Sequence, residues 1–353
     1  MSALDYAQLL ERRPVAFDEA VVRARFEGAS VMVTGAGGSI GSALLDLLGS
    51  MGAETLVCVE HHEPSLHRLG LRLQERFPDR RVRLALADVR DADRLGRLID
   101  EHAVDALFHM AAYKHVPLAE QNCDQVAEVN VLATLALADR AAALGVRDLV
   151  YPSTDKAVRP PSIYGATKRL VELELLRRAA ARGRGCAVGR LVNVFGTAGN
   201  VIERWSDQLP AGQPIWVTDA RMTRYWMTTR EATMLLASAA CLERAPAPLL
   251  VEVGEPVPLL TTAERLAELL IGRRPEIRIV GLRPGERLHE ELHYAYERLE
   301  PTTLPGIVQA SALRPLEDAR AIVAELECAV SVGDDRWVRR ILGGVMASSA
   351  VMT

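Results

Sequence analysis

The sequence predicts an α/β fold, a doubly wound parallel sheet with a smaller C-terminal lobe, and three observations predict it. From residue 30 to about 192, short β-branched or apolar runs alternate with longer segments of helical period, as strands joined by crossover helices do. The first run ends in a glycine-rich turn, Thr34-Gly35-Ala36-Gly37-Gly38-Ser39-Ile40-Gly41, that leads directly into apolar residues at helical spacing. The chain has 353 residues, 49% hydrophobic and 25% charged, enough to bury a sizeable core and too many for one minimal domain.

Residues 1–28 are expected to be a helical extension, with short amphipathic helices at 5–13 and 17–25. Strands are expected at 30–34, 55–59, 82–86, 106–110, 148–151 and 187–191, with helices between them. Beyond Asn193 the glycines and prolines Gly196, Gly199, Gly212 and Pro214 mark a loop-rich stretch before a helix at 231–242 and a strand at 249–253. The dinucleotide-binding domain is therefore placed at 29–192 and 226–253, and a substrate-binding lobe at 193–225 and 254–345. The tail 343–353 is small and polar enough to fray.

A net charge of -4, from 42 basic and 46 acidic residues interspersed along the chain, creates no field suited to nucleic acid. The five cysteines, Cys58, Cys123, Cys186, Cys241 and Cys328, show no paired spacing for a metal or a redox exchange. Charged residues near the N-terminus argue against a secretory signal, and no run of about 20 apolar residues could span a bilayer. The expectation is a cytoplasmic protein without metal, nucleic-acid partner or membrane insertion, and a homo-oligomer.

The turn places Gly35, Gly38 and Gly41 where a side chain would keep the backbone from a pyrophosphate at the helix N-terminus, with Ser39 and Ile40 beside them. This makes the sheet Rossmann-like. Glu60, about 20 residues on at the end of the second strand, is placed to accept hydrogen bonds from an adenosine ribose. A 2′-phosphate about 4 Å away would be repelled by several kcal/mol at an effective dielectric near ~20, which favours NAD. NADP stays open because His61, His62 and His67 lie near. Asp88 and Val89 follow the third strand, Asp88 either at the adenine edge or as a strand cap, and Ala111 follows the fourth.

After the fifth strand come Ser153-Thr154-Asp155-Lys156 and then Ser162-Ile163-Tyr164-Gly165-Ala166-Thr167-Lys168. Ser162 can cap a helix on which Tyr164 and Lys168, four apart, share a face. A lysine cation about 4 Å from the phenol would stabilise its anion by roughly 4 kcal/mol, enough to make it a base near neutral pH. With Thr154, the pair can take a proton from a sugar hydroxyl while hydride leaves for a nicotinamide. Asp155 and Lys156 exceed what alcohol oxidation needs. They suit loss of water next to a new ketone, unless they are a surface ion pair.

The segments 33–44, 111–117, 153–169, 217–219, 222–225, 254–257 and 281–286 together resemble the bacterial capsule and flagellin-glycan polysaccharide-biosynthesis dehydratases, extended short-chain dehydrogenases acting on UDP-N-acetylglucosamine. The resemblance implies a 4,6-dehydratase in which Tyr164 and Lys168 oxidise carbon 4, Lys156 is the carbon-5 base and Asp155 the acid for the carbon-6 hydroxyl. Lys114 would border the active site, and Asn193, Arg224, Arg283 and Glu286 would hold the nucleotide and its diphosphate. Glu203 stands where the family often has proline, and residues 9–15 resemble the linker of long, membrane-anchored relatives. The alternatives are a nucleotide-sugar 4-epimerase, a 5,6-dehydratase, or a non-catalytic dinucleotide sensor.

Overall fold

A computed structural model describes residues 6–10, 12–182, 185–242, 247–313 and 318–351. Its centre is a nine-stranded sheet. We label its strands β1 (Ser30–Thr34), β2 (Thr55–Glu60), β3 (Arg81–Leu86), β4 (Ala106–His109), β5 (Asp148–Thr154), β6 (Cys186–Leu191), β7 (Leu249–Val251), β8 (Glu297–Pro301) and β9 (Ile307–Ala312). The spatial order is β8-β9-β7-β6-β5-β4-β1-β2-β3. β1 to β7 run parallel, whereas β8 and β9 add an antiparallel edge, so the sheet is mixed rather than wholly parallel.

Period-two alternation explains why the inner strands read as continuous apolar runs. Met32, Val57, Leu107 and Tyr151 enter the core on one face. Val31, Val33, Cys58, Phe108 and Val150 enter the core on the other, under the helices Ser39–Ser50 and Thr229–Ala239. A third core, around Trp205, Ile215, Trp226 and Leu266, belongs to the smaller lobe, where the Phe195 and Trp226 rings stack at 4.6 Å.

Three expectations change. The C-terminal residues do not stay in the lobe, because β8 and β9 complete the main sheet and Asp335–Val351 packs Val338, Leu342 and Val345 into the core containing Leu170 and Leu173. The tail is accordingly helical through Val351, since that apolar stripe anchors it, and only Met352 and Thr353 lie outside the described residues. The first N-terminal helix is confined to Tyr6–Leu10, with Asp5 and Glu11 outside the described residues, and Arg12 turns inward to pair with Glu231 at 2.7 Å.

A buried ion network joins the layers. Arg190 on β6 reaches Glu172 and Glu297 at 2.6 Å each, and Glu172 also accepts from Arg169 at 2.9 Å and from Ser153 at 2.8 Å. Burial would raise the Glu172 carboxyl, but Arg190 and Arg169 outweigh it and hold it below the usual range. The network fixes the end of β5, where the site lies.

Candidate active site

The glycine turn is shaped by close approach. Gly35 has φ +62°, and a Cβ there would lie 2.7 Å from the Ala111 amide. A Cβ on Gly41 would meet the Gly35 carbonyl at 2.3 Å, and one on Gly38 would meet it at 3.2 Å. The helix Ser39–Ser50 starts without a side-chain cap, which leaves its first N–H groups open to an anion. Ser39 Oγ accepts from the Ala198 amide across the cleft.

Glu60 is buried, and its carboxylate already accepts from the amides of Gly37, His61 and His62, each at 3.0 Å. Its first role is to bind the glycine turn to the end of β2. Asp88 is engaged by Arg90 at 2.6 Å, which holds its carboxyl below the usual range, so the end of β3 carries an ion pair and not a lone acid. Between them runs a trough. A cavity of about 190 Å³ is lined by Glu60, Asp88, Val89 and Ala111. It continues into one of about 660 Å³ over the glycine turn and Ile40, and then into one of about 300 Å³ reaching Thr154, Tyr164 and Lys168. The trough crosses the carboxyl ends of β1 and β4, where the strand order reverses, and its uncapped helix and terminal carboxylate fit a dinucleotide. Buried His109, bonded to Thr34 at 2.7 Å and Thr134 at 2.9 Å, ties these strands together, and burial pushes its ring down to about 3.

The catalytic candidates converge at the end of β5. Ser162 Oγ accepts from the Gly165 amide and starts the helix Ile163–Arg182, which carries Tyr164 and Lys168. Thr154 Oγ1 donates to Asp155 Oδ1 at 2.9 Å, and Lys156 Nζ donates to the same oxygen at 3.0 Å. Asp155 is buried and its Oδ2 accepts no hydrogen bond, so this is no surface ion pair. Burial, and then the neighbouring Glu290, push Asp155 up to about 7 against the pull of Lys156.

The tyrosine–lysine pair departs from expectation. Lys168 Nζ donates to the Pro152 carbonyl at 2.9 Å and lies 4.3 Å from the centre of the Tyr151 ring, and burial pushes it down to about 7. Burial also pushes Tyr164 up to about 12, opposed by Lys156 and Thr154 rather than by Lys168. In these surroundings Tyr164 is a neutral phenol.

Beyond this cluster a cavity of about 690 Å³ opens toward the smaller lobe. Lys114, Asn193, Arg224, Arg283 and Glu286 all line it. So do Arg204, Arg287 and Glu290, which the sequence reading missed. Arg204 follows Glu203, where the family often has proline, and Arg287 and Glu290 lie just beyond the segment 281–286, but nothing in the sequence marks them as facing inward. Lys114 donates to the Ala198 carbonyl at 2.7 Å and borders both trough and cavity. Glu203 accepts from the Gly199 amide.

Residues 31–312 match the family model described as polysaccharide biosynthesis protein. The chain belongs to this family. Over 287 residues it is 35% identical to the probable polysaccharide biosynthesis protein EpsC of Bacillus subtilis, covering 80% of this chain and 48% of that protein. It is 34% identical to the capsular polysaccharide biosynthesis protein CapD of Staphylococcus aureus, covering 83% and 49%. The chain thus spans about half the length of these two relatives. It is 28% identical to a UDP-N-acetylglucosamine 4,6-dehydratase (inverting) of Campylobacter jejuni, covering 77% and 81%. Among solved structures, Pen from Bacillus thuringiensis superposes with a TM-score of 0.72 at 25% identity, covering 83% of this chain and 92% of that one. DesIV of Streptomyces venezuelae, a dTDP-glucose 4,6-dehydratase solved with NAD and TYD, gives 0.63 at 25%, covering 74% and 88%. The family member described here has the extended short-chain dehydrogenase fold. No helix among the described residues is long and apolar enough to cross a membrane.

Proposed function

We propose that this chain is an NAD-dependent 4,6-dehydratase of a nucleotide-activated hexosamine, with UDP-N-acetylglucosamine, the substrate in the name of the Campylobacter jejuni relative, as the first candidate. The observation that carries the reading is the buried Asp155–Lys156 pair beside Tyr164, at the junction of the dinucleotide trough and the basic cavity. Gly35, Gly38, Ser39, Ile40, Gly41, Glu60, Val89 and Ala111 would hold the dinucleotide. Bound there, the nicotinamide would supply a hydride acceptor for carbon 4 and return that hydride to carbon 6.

The remaining work falls to side chains. Arg204, Arg224, Arg283 and Arg287 supply positive charge for the diphosphate, and Asn193 and Glu286 border it. Tyr164 takes the carbon-4 hydroxyl proton once it has given up its own and Lys168 has turned toward it from the Pro152 carbonyl, Lys156 takes the carbon-5 proton and Asp155 protonates the departing carbon-6 hydroxyl. Two carboxylates hold Lys156 as an ammonium, so where Asp155 is ionised, transfer of the Lys156 proton to it across 3.0 Å generates base and acid together. Overall the carbon-4 hydroxyl proton ends on the departing water. Thr154, which donates to Asp155 and acts on Tyr164, stands between the two groups that handle it.

The test is incubation of the purified protein with NAD and UDP-N-acetylglucosamine in heavy water. The expected product is lighter by one water and carries deuterium at carbon 5. An isomer of unchanged mass would make the protein an epimerase, and recovery of unaltered substrate would leave the sensor reading.

A further inference from the structure

Glu290 lies outside every motif from which the site was read, yet its side chain is only 5% exposed and binds three functional residues. Oε1 lies 2.8 Å from Lys156 Nζ and 3.3 Å from Arg224 Nε, and Oε2 accepts from Asn193 Nδ2 at 2.7 Å. Arg224 is itself held by the carbonyls of Thr223, Arg287 and Leu288, and Asn193 by that of Tyr225. The carboxylate is therefore fixed from two sides of the cavity. We propose that Glu290 is a positioning residue for elimination: its carboxylate, against Lys156 and Asp155, makes both hold their protons more tightly and so sets the pH window in which the pair works as base and acid. The proposal rests on the dehydratase reading and deepens it.

The argument is one of allocation. Two carboxylates, Asp155 and Glu290, share one ammonium. Ionising both is unfavourable in a buried site, so the better-solvated one carries the charge. Glu290 has three donors, two of them cationic, whereas Asp155 has Lys156 and the Thr154 hydroxyl, and lies against Glu290 so that it can hydrogen-bond to that carboxylate only as an acid. Glu290 is the ionised partner, and its charge does two things: it disfavours the Asp155 carboxylate, and it holds Lys156 as an ammonium. The electrostatic directions agree. Burial would raise Glu290, but Lys156 and Arg224 outweigh it and bring it down to about 2, while Asp155 rises to about 7. The other ionisable groups facing this cluster are Tyr164 from the helix Ile163–Arg182, Tyr225 between the short lobe strands, and Arg287 and Glu291 from the loop that carries Glu290. None is within salt-bridge distance of Asp155 or Lys156, so Glu290 dominates.

Glu290→Gln keeps the shape and removes the charge. Both Asp155 and Lys156 lose the same negative neighbour, so both titrate at lower pH, and the whole pH–rate profile for carbon-5 deuterium incorporation moves toward acid by at least about one unit. That direction holds whichever limb each group governs. Glu290→Asp, which restores the charge, should bring the profile back most of the way. A second reading uses the ligand-free protein. The infrared carboxylic-acid band that Asp155→Asn abolishes should be present in the wild type at pH 6 and titrate away at lower pH in Glu290→Gln. Deuterium incorporation that weakens equally at every pH, together with an Asp155 band that titrates as in the wild type, would overturn the role of Glu290. A wild type that incorporates no deuterium while its Asp155 band still depends on Glu290 would instead overturn the dehydratase reading and leave the charge allocation standing.

Discussion

Replacing Asp155 by Asn should make the protein more stable and less active, two effects of opposite sign. The carboxyl is fully buried, its Oδ2 accepts no hydrogen bond, its hydrogen bond with Glu290 requires it to be protonated, and its folded-state value is raised to about 7. A carboxyl shifted from about 3.9 in the unfolded chain to about 7 in the fold makes ionisation unfavourable by about 4 kcal/mol. The sign follows from the raised value. Below about pH 4 both states are protonated and nothing is lost. Between pH 4 and 7 the unfolded state ionises first and stability falls, and above 7 the full loss remains. Asparagine cannot ionise and escapes it. Lys156 keeps Glu290 at 2.8 Å in the variant, so its loss of one partner offsets only part of the gain. A net gain of about 2–4 kcal/mol at pH 8 corresponds to several degrees in Tm for a chain of this size, fading toward pH 5. Calorimetry on the ligand-free protein across pH 5–8.5, beside turnover with the sugar nucleotide, gives both quantities. Turnover should drop about 10²–10⁴-fold through loss of a general acid. A variant equal to or less stable than the wild type at pH 8 would refute the reasoning, because Asp155 would then be an ordinary stabilising ion-pair partner.

Lys156→Ala should block elimination by about 10²–10⁴-fold while carbon-4 oxidation stays detectable as a transient rise in reduced-cofactor absorbance, and normal turnover would exclude Lys156 as the base. Gly41→Ala sets a methyl group 2.3 Å from the Gly35 carbonyl, so the turn must open. A loss of about 1–3 kcal/mol in stability and a large loss of dinucleotide affinity are expected, by denaturation and by calorimetric titration. Arg190→Met removes the cation that Glu172 and Glu297 share in the core, leaving Glu172 with Arg169 and Ser153, and should cost about 3–5 kcal/mol at neutral pH. Glu172 is depressed in the fold, so its contribution is present above about pH 4.3 and is lost as pH falls through its folded value. The gap between wild type and Arg190→Met should therefore narrow in acid, as urea titrations at pH 7 and pH 3.5 would show.

The parallel half of the sheet was legible because its strands carry their own signal. β1 coincides with the expected span and β2 to β6 differ from theirs by a few residues, since β-branched runs buried on both faces between helical segments allow little else. β8 was not legible. Glu297 to Pro301 reads as a polar loop with a proline, and it becomes a strand only through its register with β9, Leu299 opposite Ala310. The end of the terminal helix was not legible because residues 343–353 are small and polar, although Val338, Leu342 and Val345 already carry a helical stripe. At the site, the Tyr164–Lys168 spacing gave the shared helix face but not the direction of Lys168, whose ammonium is captured by a carbonyl of β5 that is remote in sequence. Glu290 shows the limit most clearly: it is 134 to 135 positions from its partners Asp155 and Lys156, and only the fold makes it part of the pair.

The distribution of charge in the site separates two kinds of chemistry. On the trough side, burial works against the ionised forms of Tyr164, His109 and Lys168 alike. On the cavity side, Lys156, Arg224 and Glu290 keep their charges because each compensates another within 3.3 Å. Asp155 lies on the boundary, poised near neutrality. Redox chemistry at a carbon centre gains from surroundings without competing charge, whereas expulsion of a hydroxyl needs a proton donor and a stabilising cation within reach. A fold that placed Tyr164 and the Asp155–Lys156 pair in one uniform environment would serve one step at the expense of the other. The turn from Thr154 to Ala157 avoids this by carrying the chain, in three residues, from the end of β5 into the charged cavity.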